Sequence, residues 1–146
     1  MTLFTIGYEG RNIEEYLDLL KRNMVTLVID VRRNPVSRKR GFSKNRMREA
    51  LSSEGIEYMH FPQLGIESKK RKGLKSKSDY LELFSWYENE VLPNEHDALT
   101  EIISILNKYE RVALTCYESD YTYCHRSSVS SKLTEIADQE PDLVHL

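Results

Sequence analysis

Short apolar segments alternate with amphipathic segments along the whole chain, and this alternation restricts the fold more than any other feature. Four segments have the apolar or β-branched composition of buried strands: residues 3–6, 25–31, 56–61 and 111–116. Segments with helical periodicity separate them, so consecutive strands are joined by crossover connections. The sequence therefore predicts a single three-layer α/β domain over residues 1–146, with a four-stranded, mostly parallel sheet flanked by helices.

Cap and turn residues give approximate ends to the elements. Asn12 followed by Glu15 resembles a capping box, and Ser43 is expected to cap a short basic helix. The last helix is expected to run from about residue 125 or 127 to about residue 139. Residues 67–78 are charged and poor in apolar side chains, which predicts a loop that is mobile in the absence of a ligand.

Composition excludes several classes of protein. Of the 146 residues, 40% are hydrophobic and 30% are charged, which predicts a folded globular protein rather than a disordered one. No apolar run approaches the roughly 20 residues that span a bilayer, and the N-terminal segment lacks the features of a signal peptide. We therefore expect a cytoplasmic protein with no membrane partner and no cofactor, whose two cysteines are reduced thiols.

Charge is distributed unevenly along the chain. Between Arg32 and Lys77 lie 14 of the 21 lysines and arginines, and this segment has a net charge of +10 against −12 for the rest. Such a segment is either a solvated surface or a surface that binds nucleic acid or a phosphorylated ligand. Under the nucleic-acid hypothesis, phosphates would contact seven side chains within residues 38–77. These are Arg40, Lys44, Arg46, Lys69, Lys70, Arg71 and Lys72.

Polar, charged and glycine residues follow each predicted strand. Because ligands of open α/β sheets bind beyond the carboxyl ends of the strands, we expect these residues to share one site. After the first three strands they are Gly7, Tyr8, Glu9, Arg11, Asp30, Arg32, Arg38 and His60. After the fourth strand they are Cys116, Glu118, Cys124, His125 and Arg126.

The two cysteines make a thiol-dependent enzyme one interpretation of this site. Cys124 precedes the last predicted helix, whose unpaired N–H groups favour a thiolate, so Cys124 is the preferred catalytic thiol over Cys116. Glu118 and Asp30 would then orient groups or transfer protons. The spacing fits neither a phosphatase loop nor a rhodanese loop, which need an arginine six or five residues after the cysteine. Sulfur transfer is therefore only a further alternative, and an unreactive buried role is the simplest one.

Anion binding is the interpretation that the residues favour most. Arg126 and Ser127 lie at the start of the last predicted helix, where N–H groups, a hydroxyl and a guanidinium form a general type of anion site. Arg11, Arg32 and Arg38 follow the first two strands and would converge on the same ligand. The predicted ligand is an anionic small molecule that carries phosphate.

Two other arrangements would use the same side chains differently. In the first, Asp30 or Glu118 pairs with Arg32 or Arg126 in a structural ion-pair network. In the second, a metal ion is bound, although seven residues between the cysteines is an unusual spacing for zinc. The four side chains available for a metal are Cys116, Cys124, His125 and His60. The sequence therefore predicts no defined metal site.

Motifs in a fixed order resemble the family known as domain of unknown function 488. The family pattern has T-I-G, then D-V-R and P-x-S-R-x-x-x-F, then G-I-x-Y-x-x-x-x-x-L-G, and finally C-x-E-x-x-x-x-x-C-H-R. In this chain the motifs fall on residues 5–7, 30–32, 35–42, 55–65 and 116–126. The resemblance implies one α/β domain with a shared site at the strand ends, and it implies no particular reaction. The chain departs from the pattern at Tyr8, where members often have His, and at Ile66, where many have a second Gly.

Overall fold

A sheet of five parallel strands forms the middle layer of the protein, whose computed structural model describes all 146 residues. The strands are β1 (Thr2–Gly7), β2 (Leu27–Asp30), β3 (Glu57–His60), β4 (Arg111–Cys116) and β5 (Asp142–His145). They lie in the order β3-β2-β4-β1-β5, and every neighbouring pair is parallel. The prediction of an α/β domain built on a parallel sheet is confirmed.

Six α-helices, one of them a single turn, connect the strands. They are α1 (Ile13–Arg22), α2 (Lys44–Ser53), α3 (Ser68–Arg71), α4 (Lys77–Trp86), α5 (His96–Tyr109) and α6 (Arg126–Ile136). Shorter helical turns are Pro62–Leu64, Tyr87–Val91, Leu92–Glu95 and Tyr121–Tyr123. None of the helices combines the length and the apolar character that crossing a membrane requires.

Each face of the sheet has its own apolar layer, because the strands are covered on both sides. On one face, Tyr16 of α1 and Met47 of α2 pack with strand residues such as Phe4. On the other face, buried residues of α4, α5 and α6 pack with strand residues such as Leu27 and Leu114. Alternate residues of one strand therefore enter different layers, which explains why the central strands are apolar throughout.

The fifth strand corrects the predicted count of four. Helix α6 ends at Ile136, before the predicted end near residue 139, and β5 then pairs with β1 from Thr2 to Thr5. The strand is four residues long and alternates between exposed and half-buried positions. A segment this short at the edge of a sheet shows too little periodicity to be separated from a loop.

Two of the helix caps illustrate how far local sequence determines local structure. Asn12 and Glu15 form the predicted capping box, in which the Glu15 N–H donates to Asn12 Oδ1 at 2.8 Å and the Asn12 N–H donates to Glu15 Oε1 at 3.1 Å. Ser43 precedes α2 as predicted but does not cap it. Its hydroxyl instead accepts from the Ser37 N–H and donates to the Ser37 carbonyl, both at 3.0 Å, because a tight turn brings Ser37 closer.

Gly7 ends β1 at a point where the backbone of another loop leaves no room for a side chain. A Cβ atom placed there would overlap the carbonyl group of Glu118. We therefore expect Gly7→Ala to lower the free energy of unfolding by about 1–3 kcal/mol, because two adjacent strand ends must separate. Urea unfolding measures this change.

Gly10→Ala is the control for that substitution. An added Cβ at Gly10 meets no atom within 4 Å, so its cost reflects only the backbone φ of +76°. If Gly7→Ala leaves the free energy of unfolding unchanged, the close approach of Gly7 to Glu118 is not a constraint on the fold.

Candidate functional site

The carboxyl ends of four parallel strands meet at one edge of the sheet. Gly7 is in register with Cys116, while Asp30 is in register with both Thr115 and His60. The loops that leave these four strands therefore start side by side, as the sequence predicts for the polar residues at the strand ends.

Asp30 and Arg32 form a buried ion pair at this edge. The Arg32 Nε–H donates to Asp30 Oδ1 at 2.9 Å, and Arg32 Nη2 donates to Asp30 Oδ2 at 2.7 Å, which is a bidentate arrangement. Arg32 Nη1 donates to the Tyr8 hydroxyl and to the Phe42 carbonyl, and the Tyr58 hydroxyl donates to Asp30 Oδ2. The network matches the predicted ion-pair alternative, and it leaves Asp30 and Arg32 little capacity for a ligand.

Arg126 is also buried, and its side chain faces inward rather than toward a ligand at the start of α6. Its Nη1 donates to the carbonyl of Glu118 at 2.5 Å and to Cys116 Sγ at 3.2 Å, while Nη2 donates to the carbonyl of Ser119 at 3.3 Å. The Nε–H has no hydrogen-bond partner. Burial lowers the pKa of Arg126 to about 10, although the negative charge of Glu118 opposes this effect. The guanidinium is still protonated at neutral pH.

Two further predicted anion-binding residues, Arg11 and Ser127, contact backbone carbonyls close to them in the sequence. Arg11 Nη1 donates to the carbonyl of Gly7 at 2.6 Å, and the Ser127 hydroxyl donates to the carbonyl of Cys124 at 2.8 Å. Glu9 Oε1 accepts from the backbone N–H and the hydroxyl of Ser119. The contact between Glu9 and Ser119 joins the loop after β1 to the loop after β4.

The two cysteines are bonded to each other, so the expectation of two free thiols is wrong in this structure. Cys116 is the last residue of β4, and Cys124 stands just before α6. The segment between them folds back through the short turn Tyr121–Tyr123, which returns Cys124 to the carboxyl edge of the sheet. The spacing of the cysteines gives no information on this return path. Both side chains are buried.

His125 lies beside the cysteine pair in a fully buried position. Its Nε2 is 2.8 Å from the carbonyl of Val31, which assigns the proton to Nε2 and leaves Nδ1 as an acceptor. Arg71 Nη2 donates to that Nδ1 at 3.0 Å, and Arg71 Nη1 contacts Glu118 Oε1 at 3.0 Å. Burial, together with the charge of Arg71, lowers the pKa of His125 to about 3.

Three of the four side chains that the sequence offers to a metal ion lie close together. The ligating atoms of Cys116, Cys124 and His125 lie within 4.8 Å of one another. His60 is not among them, because its Nε2 contacts the carbonyl of Arg32 at 2.8 Å. With the sulfurs bonded to each other and Arg71 donating to the imidazole, this form of the cluster offers no thiolate to an ion.

The basic segment 67–78 contains helical structure, where the sequence predicts a loop. It contains α3 and the start of α4, which has a capping box formed by Ser76 and Asp79. Arg71 at the end of α3 anchors the segment to Glu118 and His125 through the contacts described above. The anchoring residue is 47 positions from its carboxylate partner, so local sequence could not indicate the contact.

A cavity of about 340 Å³ opens next to this anchor. Its walls contain four arginines, several neutral polar groups and two tyrosines, and no acidic side chain. The lining residues are Tyr8, Arg32, Arg33, Asn34, Val36, Ser37, Arg38, Ile66, Ser68, Arg71 and Tyr117. Of the predicted anion-binding residues, only Arg32 and Arg38 line it.

Arg33 and Arg38 differ from the other two arginines of the cavity, because neither guanidinium has an ion-pair or hydrogen-bond partner. Arg32 is paired with Asp30, and Arg71 is paired with Glu118. Arg33 was not among the predicted site residues. The doubled arginine after the second strand is the signal available in the sequence, but it does not indicate which of the two side chains is paired.

Aromatic rings form one wall of the cavity. Tyr8 is stacked on Phe42 with ring centroids 4.4 Å apart, and it meets Tyr117 edge to face at 5.3 Å. Tyr8 is buried, whereas 44% of Tyr117 is exposed. Tyr117 therefore offers an accessible ring beside the arginines, and it was not among the predicted site residues.

A second cavity, of about 710 Å³, adjoins the first through Ser37 and Arg38. It contains Arg40 and Arg46 from the predicted nucleic-acid set, but also two acidic residues, of which Glu49 pairs with Arg46. The other members of that set are divided between α2 and the region of α3. The predicted basic residues are therefore not gathered in a single cavity.

Comparison with known proteins gives one match. The family model described as Domain of unknown function DUF488 matches residues 12–133. Neither the curated proteins nor the solved structures contain a match to the chain.

Proposed function

The chain belongs to the DUF488 family, and from this premise we propose that it binds an anionic, phosphate-bearing ligand in the cavity between the loops after β1 and β2 and helix α3. The observation that carries the proposal is the charge of the walls. Four arginines line the cavity without any acidic residue, and two of them, Arg33 and Arg38, have no hydrogen-bond or ion-pair partner. The pKa of Glu67 is lowered by its contact with Lys69 and, to a smaller extent, by the charge of Arg33, so that carboxylate is near Arg33 without pairing with it.

Charge balance supports an anion rather than a neutral ligand. Asp30 and Glu118 neutralise Arg32 and Arg71, so the net positive charge of the walls comes from Arg33 and Arg38. Guanidinium groups bind phosphate oxygens through charge-assisted hydrogen bonds, often in pairs. Two unpaired guanidiniums in one concave site therefore favour a ligand with several anionic oxygens.

Neutral polar groups and an aromatic ring also line the proposed site. The hydroxyls of Ser37 and Ser68 and the amide of Asn34 supply donors that a phosphate can accept from. The exposed ring of Tyr117 supplies an apolar surface for the part of the ligand that carries the phosphate. A phosphate ester of an organic group uses both features, whereas inorganic phosphate uses only the first.

Arg33→Gln tests this proposal with a neutral side chain of similar polarity. We expect it to weaken the binding of a nucleoside monophosphate by about tenfold or more, because one charge-assisted hydrogen bond to the ligand is lost. Isothermal titration calorimetry at low salt measures the affinity, with inorganic phosphate as the second probe.

Arg40→Gln is the matched control, since Arg40 is also exposed, lies on the same loop and lines only the second cavity. It should leave the affinity within about twofold of the unmodified protein. Binding that falls with Arg40→Gln and not with Arg33→Gln would assign the ligand to the second cavity. No measurable binding of either probe would reject the proposal.

A nucleic-acid strand is the second candidate ligand, because the two cavities share Arg38 and together hold most of the unpaired arginines of this surface. A strand would place successive phosphates along both cavities. Its affinity should then exceed that of the mononucleotide, should fall steeply as salt rises, and should decrease with both Arg33→Gln and Arg40→Gln.

A further inference from the structure

We infer that Cys116 and Cys124 are a redox-active pair, which a small or protein dithiol reduces and which closes again on oxidation. The inference does not depend on the ligand of the cavity. It rests on the charged groups around the two sulfurs and on the position of the pair relative to the cavity.

A single residue contacts both sulfurs. The guanidinium of Arg126 donates from Nη1 to Cys116 Sγ at 3.2 Å, and the backbone N–H of Arg126 approaches Cys124 Sγ at 3.5 Å. That N–H is at the start of α6, an eleven-residue helix whose dipole favours negative charge at this end. Each sulfur therefore has a donor that favours the thiolate, although at Cys116 the carboxylate of Glu118, 3.4 Å away, opposes it.

The buried charge of Arg126 is poorly compensated while the sulfurs are bonded. A disulfide is neutral, so the guanidinium has carbonyl oxygens as its nearest acceptors, and its buried Nε–H has no partner at all. A buried cation is costly unless it is well compensated, and Glu118 compensates Arg126 only in part, since its carboxylate is paired with Arg71. Reduction would create a thiolate next to it, and this gain in the reduced state favours opening of the disulfide.

The pair also lies close to a route from the surface. Glu118 Oε2 is 3.4 Å from Cys116 Sγ, and His125 Nδ1 is 3.8 Å from Cys124 Sγ. Arg71 contacts both Glu118 and His125 and lines the cavity. Arg71 therefore lies between the cavity and the sulfurs, and movement of α3 would admit a reductant.

The proposed reaction is thiol–disulfide exchange. A thiolate of the dithiol attacks one protein sulfur, forms a mixed disulfide and releases the other sulfur as a thiolate near Arg126. The second thiol of the reductant then displaces the remaining protein sulfur. The reductant leaves as a disulfide and its two electrons pass to Cys116 and Cys124. One of its protons stays on the sulfur that ends as a thiol, and the other is released to solvent because the second sulfur remains a thiolate.

Counting reactive thiols in the folded protein tests the inference. Protein prepared without reductant should react with no more than a trace of iodoacetamide at neutral pH, with a chelator present throughout. After dithiothreitol, two thiols per chain should be alkylated while the circular dichroism spectrum is unchanged. Glutathione disulfide should then remove both thiols from a reduced, unalkylated sample.

Two results would overturn the inference. Thiols that appear only when reductant is combined with a denaturant would show a structural disulfide without redox access. Two thiols that are free in the fresh protein and stay free with glutathione disulfide would show that the pair does not form.

The variant Arg126→Gln tests whether the charge of Arg126 favours the reduced state of the cysteine pair. A titration with mixtures of reduced and oxidised dithiothreitol should need about tenfold more of the reduced form to open the disulfide, since the thiolate loses its cation. Lys72→Gln, an equal change in charge at an exposed position next to α3, should leave the midpoint unchanged. An unchanged midpoint in a folded Arg126→Gln protein would contradict the role of Arg126 in stabilising the reduced state. If that variant does not fold, the inference is decided by the numbers of reactive thiols in the unmodified protein.

Discussion

Asp30→Ala is expected to lower the free energy of unfolding by about 3–5 kcal/mol, because it leaves the guanidinium of Arg32 buried without its countercharge. The side chains of Asp30 and Arg32 are 0% and 8% exposed, so water cannot replace the lost carboxylate. The hydroxyl of Tyr58 loses its acceptor in the same variant. Urea unfolding at neutral pH measures the loss.

A double variant separates the unpaired charge from the other effects. Asp30→Ala combined with Arg32→Met removes both charges, and it should lose less stability than Asp30→Ala alone. A double variant that is as unstable as the single one would mean that Asp30 stabilises the fold through other contacts. A loss below about 1 kcal/mol for Asp30→Ala would show that this network is not a structural element.

The second large effect concerns pH and His125. The folded state holds the imidazole neutral, because burial and then the charge of Arg71 lower its pKa to about 3 from an ordinary 6.5. The unfolded chain takes up a proton below about pH 6.5, so protonation favours unfolding. The stabilising contribution is complete above pH 6.5 and is lost as the pH falls toward 3, by about 1.4 kcal/mol per pH unit once the unfolded imidazole is protonated.

Comparison with His125→Gln isolates this effect from the titration of other groups. Between pH 7 and pH 5, the unmodified protein should lose about 2 kcal/mol more of its unfolding free energy than the variant loses. His96→Gln changes an exposed histidine of α5 and should follow the unmodified protein. Parallel pH profiles for the unmodified protein and His125→Gln would contradict the prediction, because they would indicate that the pKa of the imidazole is the same in the folded and unfolded states.

The fold follows from the sequence because its main signals are local and repeated. An almost continuous apolar run predicts β2, and a capping box with an apolar stripe predicts α1. The parallel sheet then follows from the alternation of the elements. Strand β5 lies outside this reasoning, because four edge residues gain their conformation from pairing with β1 rather than from their own pattern.

The site is less predictable from the sequence because it depends on the conformation and the contacts of each side chain. Arg32 and Arg33 are adjacent in the sequence, yet Arg32 is buried with Asp30, while Arg33 is exposed at the cavity and has no hydrogen-bond or ion-pair partner. Residue types at the strand ends indicate which edge of the sheet is polar. They do not indicate which of two arginines forms an ion pair, or that Arg71 contacts Glu118 across 47 residues.

The order of the strands also has a consequence for the way in which the protein folds during synthesis. β1 and β2 do not pair with each other, since β4 lies between them. Until residues 111–116 have been made, the only strand pairing open to the growing chain is that between β2 and β3. Contacts of this large sequence separation slow folding, and the apolar edges of β1 and β2 stay exposed in the meantime. Arrival of β4 therefore joins the halves of the sheet and brings Cys116, the last residue of that strand, to the carboxyl edge.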